Sequence, residues 1–252
     1  MRAYAIGDIH GQLEKLRHAH VLIEADRAEC EDDEAPVVHI GDLTDRGPDT
    51  GGVLAFLIDG QAGGEPWVVL KGNHDRMFSL FLRQPARRDP LLRAELDYLH
   101  PRIGGLETLA SYGVDISAGR SHGALHRDAR AMVPAAHRAF LENLPTAHRL
   151  GPLFFCHAGI RPGVALERQL EDDLLWIRQE FYASDADHGA LIVHGHTPLE
   201  QVTHFGNRVN IDTGAGYGNA LSAVVFEGRD VWRLTDRGRV RVQRILGRSP
   251  LS

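Results

Sequence analysis

The sequence predicts an α/β fold whose sheets are covered by helices. Two observations carry this. Short apolar runs alternate with stretches of helical periodicity along most of the chain, the pattern of strands and helices packed in layers. At least five of the apolar runs end in a loop containing Gly or His, and α/β folds bind their ligands at the carboxyl ends of strands. The 252 residues, 43% hydrophobic and 25% charged, suit a soluble globular enzyme able to bury a core without staples. One domain over 1–252 is expected, with a helical insertion at about 85–150.

Arg2 to Ile6 reads as the first strand and Gly7-Asp8-Ile9-His10-Gly11 as its turn. Leu13, Leu16, His20 and Ile23 recur at spacings of three and four, which predicts a helix over 12–25. After a polar loop at 29–35, Val37-Val38-His39-Ile40 is a continuous apolar run, the mark of a buried strand. It exits through Gly41-Asp42-Leu43-Thr44-Asp45-Arg46-Gly47-Pro48. Asp49 or Thr50 is placed to cap a helix over 53–59.

The pattern recurs at Trp67-Val68-Val69-Leu70, which leaves through Lys71-Gly72-Asn73-His74-Asp75 before a helix from about Arg76 to Leu82. The Arg- and Ala-rich stretch that follows has helical periodicity at 91–99, 106–112 and 135–144. Strands then return. Leu153 to Cys156 runs into His157-Ala158-Gly159, Ala190 to Val193 into His194-Gly195-His196-Thr197-Pro198, and Val209 to Ile211 into Asp212-Thr213-Gly214. Strands at 220–226 and 231–233 end the pattern.

Composition excludes several classes. The net charge of −6 argues against binding along a nucleic-acid backbone, which calls for a basic face. An anionic substrate must instead be drawn in by local positive side chains. No apolar run approaches the ~20 residues of a membrane span, and the chain opens directly on a strand with no charged-then-apolar leader. A soluble, cytoplasmic protein is expected, with Cys30 and Cys156 as reduced thiols.

Five successive strand exits present Asp8 and His10; Asp42, Asp45 and Arg46; Asn73 and His74; His157; and His196. Each alone is an ordinary turn. Together they place carboxylates, an amide oxygen and imidazoles at one edge of the sheets. That donor set favours manganese, iron or zinc over calcium. With no cysteine at the exits it is not a structural zinc site.

In this order the motifs Gly-Asp-Ile-His-Gly, Gly-Asp-Leu-Thr-Asp-Arg-Gly, Gly-Asn-His-Asp, His-Ala-Gly and Gly-His-Thr resemble the phosphoprotein phosphatase family of the calcineurin-like metallophosphoesterases. The resemblance spans residues 4–226. Leu174-Leu175-Trp176-Ile177-Arg178, and Val193 to Pro198 followed by Asn210 to Gly214, look like its bacterial serine/threonine-type branch. The fold it implies has two packed β-sheets flanked by helices.

The resemblance also implies roles. Asp8, His10 and Asp42 would hold one divalent ion, and Asp42, Asn73, His157 and His196 a second, with Mn²⁺ the expected metal and Fe or Zn the alternatives. His74 would be the general acid, oriented by Asp45, while Arg46 and Arg178, with Asn73, would grip the phosphoryl oxygens. The nucleophile would be a hydroxide bridging two metals ~3.5–4 Å apart, so no serine or cysteine nucleophile is needed. The expected substrate is phosphoserine or phosphothreonine in a protein, or a small phosphoester. Dinucleoside polyphosphate hydrolysis of the symmetrical diadenosine-tetraphosphatase type is the alternative. Asp45 and the Trp-Ile-Arg run tilt the reading toward the protein phosphatase. A scaffold that had lost catalysis would lack a ligand or the acid, and none is missing.

Other residues read more plainly. His39, inside a strand, is expected to be a buried histidine and not a ligand. His194 and His196, two apart, would face the same side of an extended strand, which leaves His194 either a supporting partner or a structural residue. Asp212 is read as support behind the ligands. Tyr217 matches a substrate-facing tyrosine loosely. Arg83, Arg87, Arg88 and Arg93 form a solvated face or, alternatively, a rim that attracts acidic substrates.

Overall fold

The structure, a computed structural model, describes residues 1–245. Strands β1 (Arg2–Ile6), β2 (Val37–His39) and β3 (Trp67–Val69) lie parallel in the order of the chain. Three later strands extend this sheet on the other side of β1. They are β9 (Ala223–Glu227), β10 (Asp230–Thr235) and β11 (Gly238–Arg241), giving six strands in the order β11-β10-β9-β1-β2-β3. The second sheet has five strands, in the order β4-β5-β6-β8-β7. These are β4 (Ala147–Leu150), β5 (Leu153–Cys156), β6 (Leu191–His194), β7 (Thr203–His204) and β8 (Arg208–Asn210), with β5, β6 and β8 parallel.

Side-chain alternation explains why the sheets stack. On β1, Ala3 and Ala5 join Val38, Phe155, Val193, Val209, Val224 and Phe226 in one cluster between the sheets. Tyr4 and Ile6, pointing the other way, pack against helices. On β5 and β6, Phe154, Cys156 and Ile192 face Leu174, Ile177 and Phe181. The result is helices, sheet, sheet, helices, with central strands such as β1, β5 and β6 buried on both faces. Phe155 and Phe226 meet edge to face at 5.9 Å across the inter-sheet layer, and burying each such ring contributes ~2–3 kcal/mol.

Helix α1 (Leu13–Cys30) is longer than its periodicity indicates and ends on Glu31 in the left-handed conformation. Helix α2 (Thr50–Ala62) begins where Asp49 accepts the Gly52 N–H at 2.7 Å. Helix α3 (Asn73–Arg83) starts earlier than the expected Arg76. Asp75 in its first turn takes the Gly72 N–H at 2.8 Å, so Asn73 and His74 stand on the helix and not in a loop.

The expected helical insertion at about 85–150 needs correction. It does contain α4 (Gly105–Ser111), α5 (His122–Met132) and α6 (Ala135–Asn143), but 147–150 is strand β4 and 84–104 is a series of turns. The helix expected at 91–99 does not form. Asp89 and Asp97 use their carboxylates on the N–H groups of Leu91 and Leu99, at 3.0 and 2.9 Å. These local bonds compete with a helix. Leu96, Tyr98, Leu99 and Ile103 then serve the core from turns, in the same cluster as α1, α2 and α3. Beyond β5 the chain forms α7 (Glu171–Trp176) and α8 (Gln179–Tyr182).

Candidate active site

The exits of β1, β2, β3, β5 and β6 are stitched to one another. Ile9 and His10 donate backbone N–H groups to Asp42 O at 3.1 and 2.7 Å. His74 N donates to Asp42 Oδ1 at 2.9 Å and His196 N to Asp8 Oδ2 at 3.0 Å. Gly195 N reaches His157 O at 2.8 Å. Two glycines permit this density. A Cβ on Gly72 would stand 2.2 Å from Asp42 N, and one on Gly195 would stand 2.0 Å from Asp8 Oδ1.

Backbone strain gathers at the same place. Six non-glycine residues have positive φ among the described residues, and five of them are His10, Asp42, Asp45, Arg46 and His196. Each left-handed residue costs ~1–2 kcal/mol, held here by the cross-bonded loops around it.

Side-chain atoms of His10, Asp42 and His74 lie within 4.8 Å of one another, and so do those of Asp42, His157 and His196. Asp42 belongs to both groups, with Oδ2 3.5 Å from His10 Nε2 and Oδ1 3.4 Å from His157 Nε2. The first group contains His74 where the sequence reading expects Asp8. Asp8 is buried, with Oδ1 lacking any partner among the described residues.

The donor chemistry fits metal ions. His157 Nδ1 faces Ile40 O at 3.1 Å, which assigns its proton there and leaves Nε2 a lone pair. That lone pair lies 2.8 Å from Asn73 Oδ1, which is also 2.8 Å from His196 Nδ1. His10 repeats the device, with Nδ1 on Thr44 O at 2.8 Å. Acceptors converging at this distance repel unless a cation lies among them. Burial holds His10, His157 and His196 below the ordinary histidine range, in the neutral form that ligates. Burial, with the Asp212 and Asp42 charges, raises the Asp8 carboxyl well above its ordinary value, the mark of a carboxylate short of positive partners.

Beside these groups, His74 Nδ1 stands 2.7 Å from Asp45 Oδ2. His74 Nε2 faces the Arg46 guanidinium at 3.0 Å, and Arg46 also meets His10 Nε2. Arg46 lies 4.6 Å over the ring of the exposed Tyr217. A cleft of about 710 Å³ opens over Asp42, Asn73, His74, Arg46 and His196, with Arg178 on its exposed rim. Arg178 donates to Thr197 Oγ1 at 2.8 Å.

Sequence reasoning missed three residues. Asp75 accepts from the Leu43, Thr44 and Gly72 N–H groups at 2.9, 3.2 and 2.8 Å, tying the β2 exit to α3. Burial and the Asp42 charge push its carboxyl up to about 7, against the pull of those N–H groups. Its signal is an acid three residues after the glycine that precedes a helix. Tyr98 and Thr108 both reach Asp45 Oδ1, at 2.7 and 2.9 Å, and carry no sequence signal.

The plainer readings resolve as follows. His39 is fully buried and pairs its Nε2 with His20 Nε2 at 3.0 Å, beneath the Trp67 ring. His194 packs against Phe181 and Tyr182 and belongs to neither ligand group. It departs from the expected shared face because His196, at φ 68°, has left the strand conformation. Asp212 is buried and accepts the Gly214 N–H at 2.9 Å. Arg83 pairs with Glu142 on the surface, whereas Arg93 lines the cleft. Both cysteines are free thiols.

Two sheets between helices, with clustered histidine, carboxylate and amide donors at the strand exits, define a metallophosphoesterase. Residues 1–228 match the model of the calcineurin-like phosphoesterase family, and the chain belongs to that family. Among curated proteins it is similar to bis(5'-nucleosyl)-tetraphosphatase PrpE (asymmetrical) of Bacillus thuringiensis strain Al Hakam, 23% identical over 90% of this chain and 91% of that protein. The Bacillus subtilis strain 168 protein of the same name is 27% identical over 75% of each. The fold also matches the crystal structure of a proposed diadenosine tetraphosphatase, with a TM-score of 0.64, 20% identity and coverage of 96% of this chain and 94% of that one. A cold-active protein tyrosine phosphatase matches with a TM-score of 0.66 and 18% identity, covering 96% of this chain and 79% of that one. The chain is therefore a hydrolase of phosphoesters. No helix among the described residues is long and apolar enough to cross a membrane.

Proposed function

We propose that this metallophosphoesterase is a phosphomonoester hydrolase that removes phosphate from serine and threonine in proteins. The observation that supports this reading is the 2.7 Å contact between His74 Nδ1 and Asp45 Oδ2 beside Arg46 in the cleft. A serine or threonine alkoxide is a strongly basic leaving group and needs a proton as its bond to phosphorus breaks. A polyphosphate leaves as a stable anion and needs little help. The Asp45 carboxylate on Nδ1 fixes the tautomer and orientation of the His74 ring and leaves Nε2, beside Arg46, as the nitrogen that would hand over the proton.

In this reading a water gives one proton to solvent as its oxygen joins phosphorus, the P–O electron pair stays on the leaving oxygen, that oxygen takes the His74 proton, and His74 recovers a proton from solvent. Arg46 and Arg178, with Asn73, hold the phosphoryl oxygens, where charge spreads in the transition state. Asp8, His10 and Asp42 would hold one divalent ion, and Asp42, Asn73, His157 and His196 the other. Manganese, iron or zinc suits these donors. Bound there, the ions supply Lewis acidity toward the phosphoryl oxygens and acidify water.

A second reading has its own support. The curated relatives are named as asymmetrical, not symmetrical, dinucleoside tetraphosphatases. Arg93 and Arg102 also line the cleft, and neither has a carboxylate partner among the described residues, more anion-binding capacity than one phosphoryl group uses. Values of kcat/KM on a phosphoserine peptide and on diadenosine tetraphosphate, measured with manganese-loaded protein, decide between the two. Preference for the peptide is expected. A preference of ~10-fold or more for the dinucleotide would overturn it in favour of the second reading.

A further inference from the structure

Asp45 is the residue on which His74 leans, and its own hold is unusual. Its Oδ2 meets His74 Nδ1, while Oδ1 takes two hydroxyls, Tyr98 Oη at 2.7 Å and Thr108 Oγ1 at 2.9 Å. Thr108 Oγ1 also receives the Asp45 N–H at 2.8 Å and lies 3.0 Å from Thr50 Oγ1. Counting protons fixes every direction. Thr108 has one hydroxyl proton, which goes to Asp45 Oδ1, so Thr50 donates to Thr108. The Asp45 carboxylate is thereby clamped from three sides, entirely out of water.

Tyr98 is the far end of this clamp and comes from the turn-rich stretch, not from a strand exit. Its ring stacks on Phe78 at 5.7 Å and on Phe81 at 5.0 Å, both on α3, the helix that begins with Asn73 and His74. Gly105 lies against the ring, where a Cβ would stand 2.8 Å from it. The same stretch reaches Arg46, whose N–H donates to Gly104 O at 3.1 Å. Burial and the Asp45 charge raise the Tyr98 phenol well above its ordinary value, so it remains a donor across the working range.

We propose that Tyr98 is a positioning residue for proton delivery: its hydroxyl, with Thr108, locks the Asp45 carboxylate in the rotamer that aims His74 at the leaving oxygen. The inference rests on His74 being the general acid. It assigns the turns at 84–104 a part in the chemistry in addition to forming a wall.

The test uses Tyr98→Phe, which keeps the ring stack and removes only the hydroxyl. Turnover is compared on a phosphoserine peptide, with a basic leaving group, and on p-nitrophenyl phosphate, whose leaving group needs little protonation. The expected result is a fall of ~10-fold in kcat on the peptide, an unchanged KM, and a much smaller fall on p-nitrophenyl phosphate. Thr108→Ser should retain activity and Thr108→Val should show the same leaving-group selectivity, which guards against a folding defect in one variant. The double variant with His74→Asn should lose no more than His74→Asn alone. Equal losses on both substrates, or a change confined to KM, would overturn the proposal. If His74→Asn itself shows no leaving-group selectivity, the general-acid reading fails and takes the proposal with it. If His74→Asn shows it and Tyr98→Phe does not, only the role of Tyr98 falls.

Discussion

The strand exits and the wall formed by residues 84–104 face one another across the cleft, and they are built on opposite plans. At the exits, donors are buried, strained and bonded from loop to loop, with Asp42 touched by the backbone of two other exits and by two imidazoles. The wall has no regular structure. It is anchored by a fork of Arg76 on Asp89, at 2.6 and 2.9 Å, and by side chains such as Tyr98 that reach inward from turns. In the proposed mechanism the exits present the reacting groups, and the wall, through Tyr98 on Asp45 Oδ1, sets how firmly one of them is held.

The largest expected effect separates the two regions outright. His74→Asn should lower kcat by on the order of 10²–10⁴-fold while metal content, read by elemental analysis, stays near that of the parent. Full activity of this variant on a phosphopeptide would remove the exits' claim to the acid. A smaller effect comes from a place behind both regions. Burial lowers His20 to about 4, aided by the Arg27 charge, and lowers its partner His39 well below the ordinary range. Between about pH 6.5 and 4 the folded form then binds fewer protons than the unfolded form. Stability is complete above that window and falls as the pH drops through it, by on the order of 3 kcal/mol for His20. Urea midpoints across this range should show the slope, and His20→Gln should flatten it; an unaltered slope would place the acid sensitivity elsewhere, at the exits themselves. The smallest effect tests the wall. Asp89→Ala leaves Arg76 with its exposed partners and should cost ~1–3 kcal/mol of stability, read as a shift in Tm. It should change kcat on p-nitrophenyl phosphate far less than His74→Asn does. A comparable loss would mean that the wall and the exits act as one unit.

How much of this is legible in the sequence follows from the same contrast. Asp8, His10, Asp42, Asn73, His74, His157 and His196 stand out because donors must sit just past strands, where apolar runs stop abruptly. The alternation on β1, β5 and β6 likewise shows in their residue order. The wall is illegible for a physical reason. Leu92, Leu96 and Leu99 have helical spacing, but Asp89 and Asp97 spend their carboxylates on nearby N–H groups and turn the chain instead. Tyr98 and Thr108 act through a single tertiary contact on Asp45, and no local pattern encodes such a meeting. Asn73 and His74 fall between, seen as donors but misplaced into a loop, because the Asp75 bond that starts the helix at them crosses to the Gly72 N–H.

The left-handed backbone at His10, Asp42, Asp45, Arg46 and His196 has a consequence for how this protein would change under selection. At each of these positions glycine would relax the chain and remove a side chain of the candidate site in the same substitution. If these side chains work as proposed, selection for heat resistance alone should drift toward inert variants, because the shortest route to a sturdier molecule runs through the proposed active site.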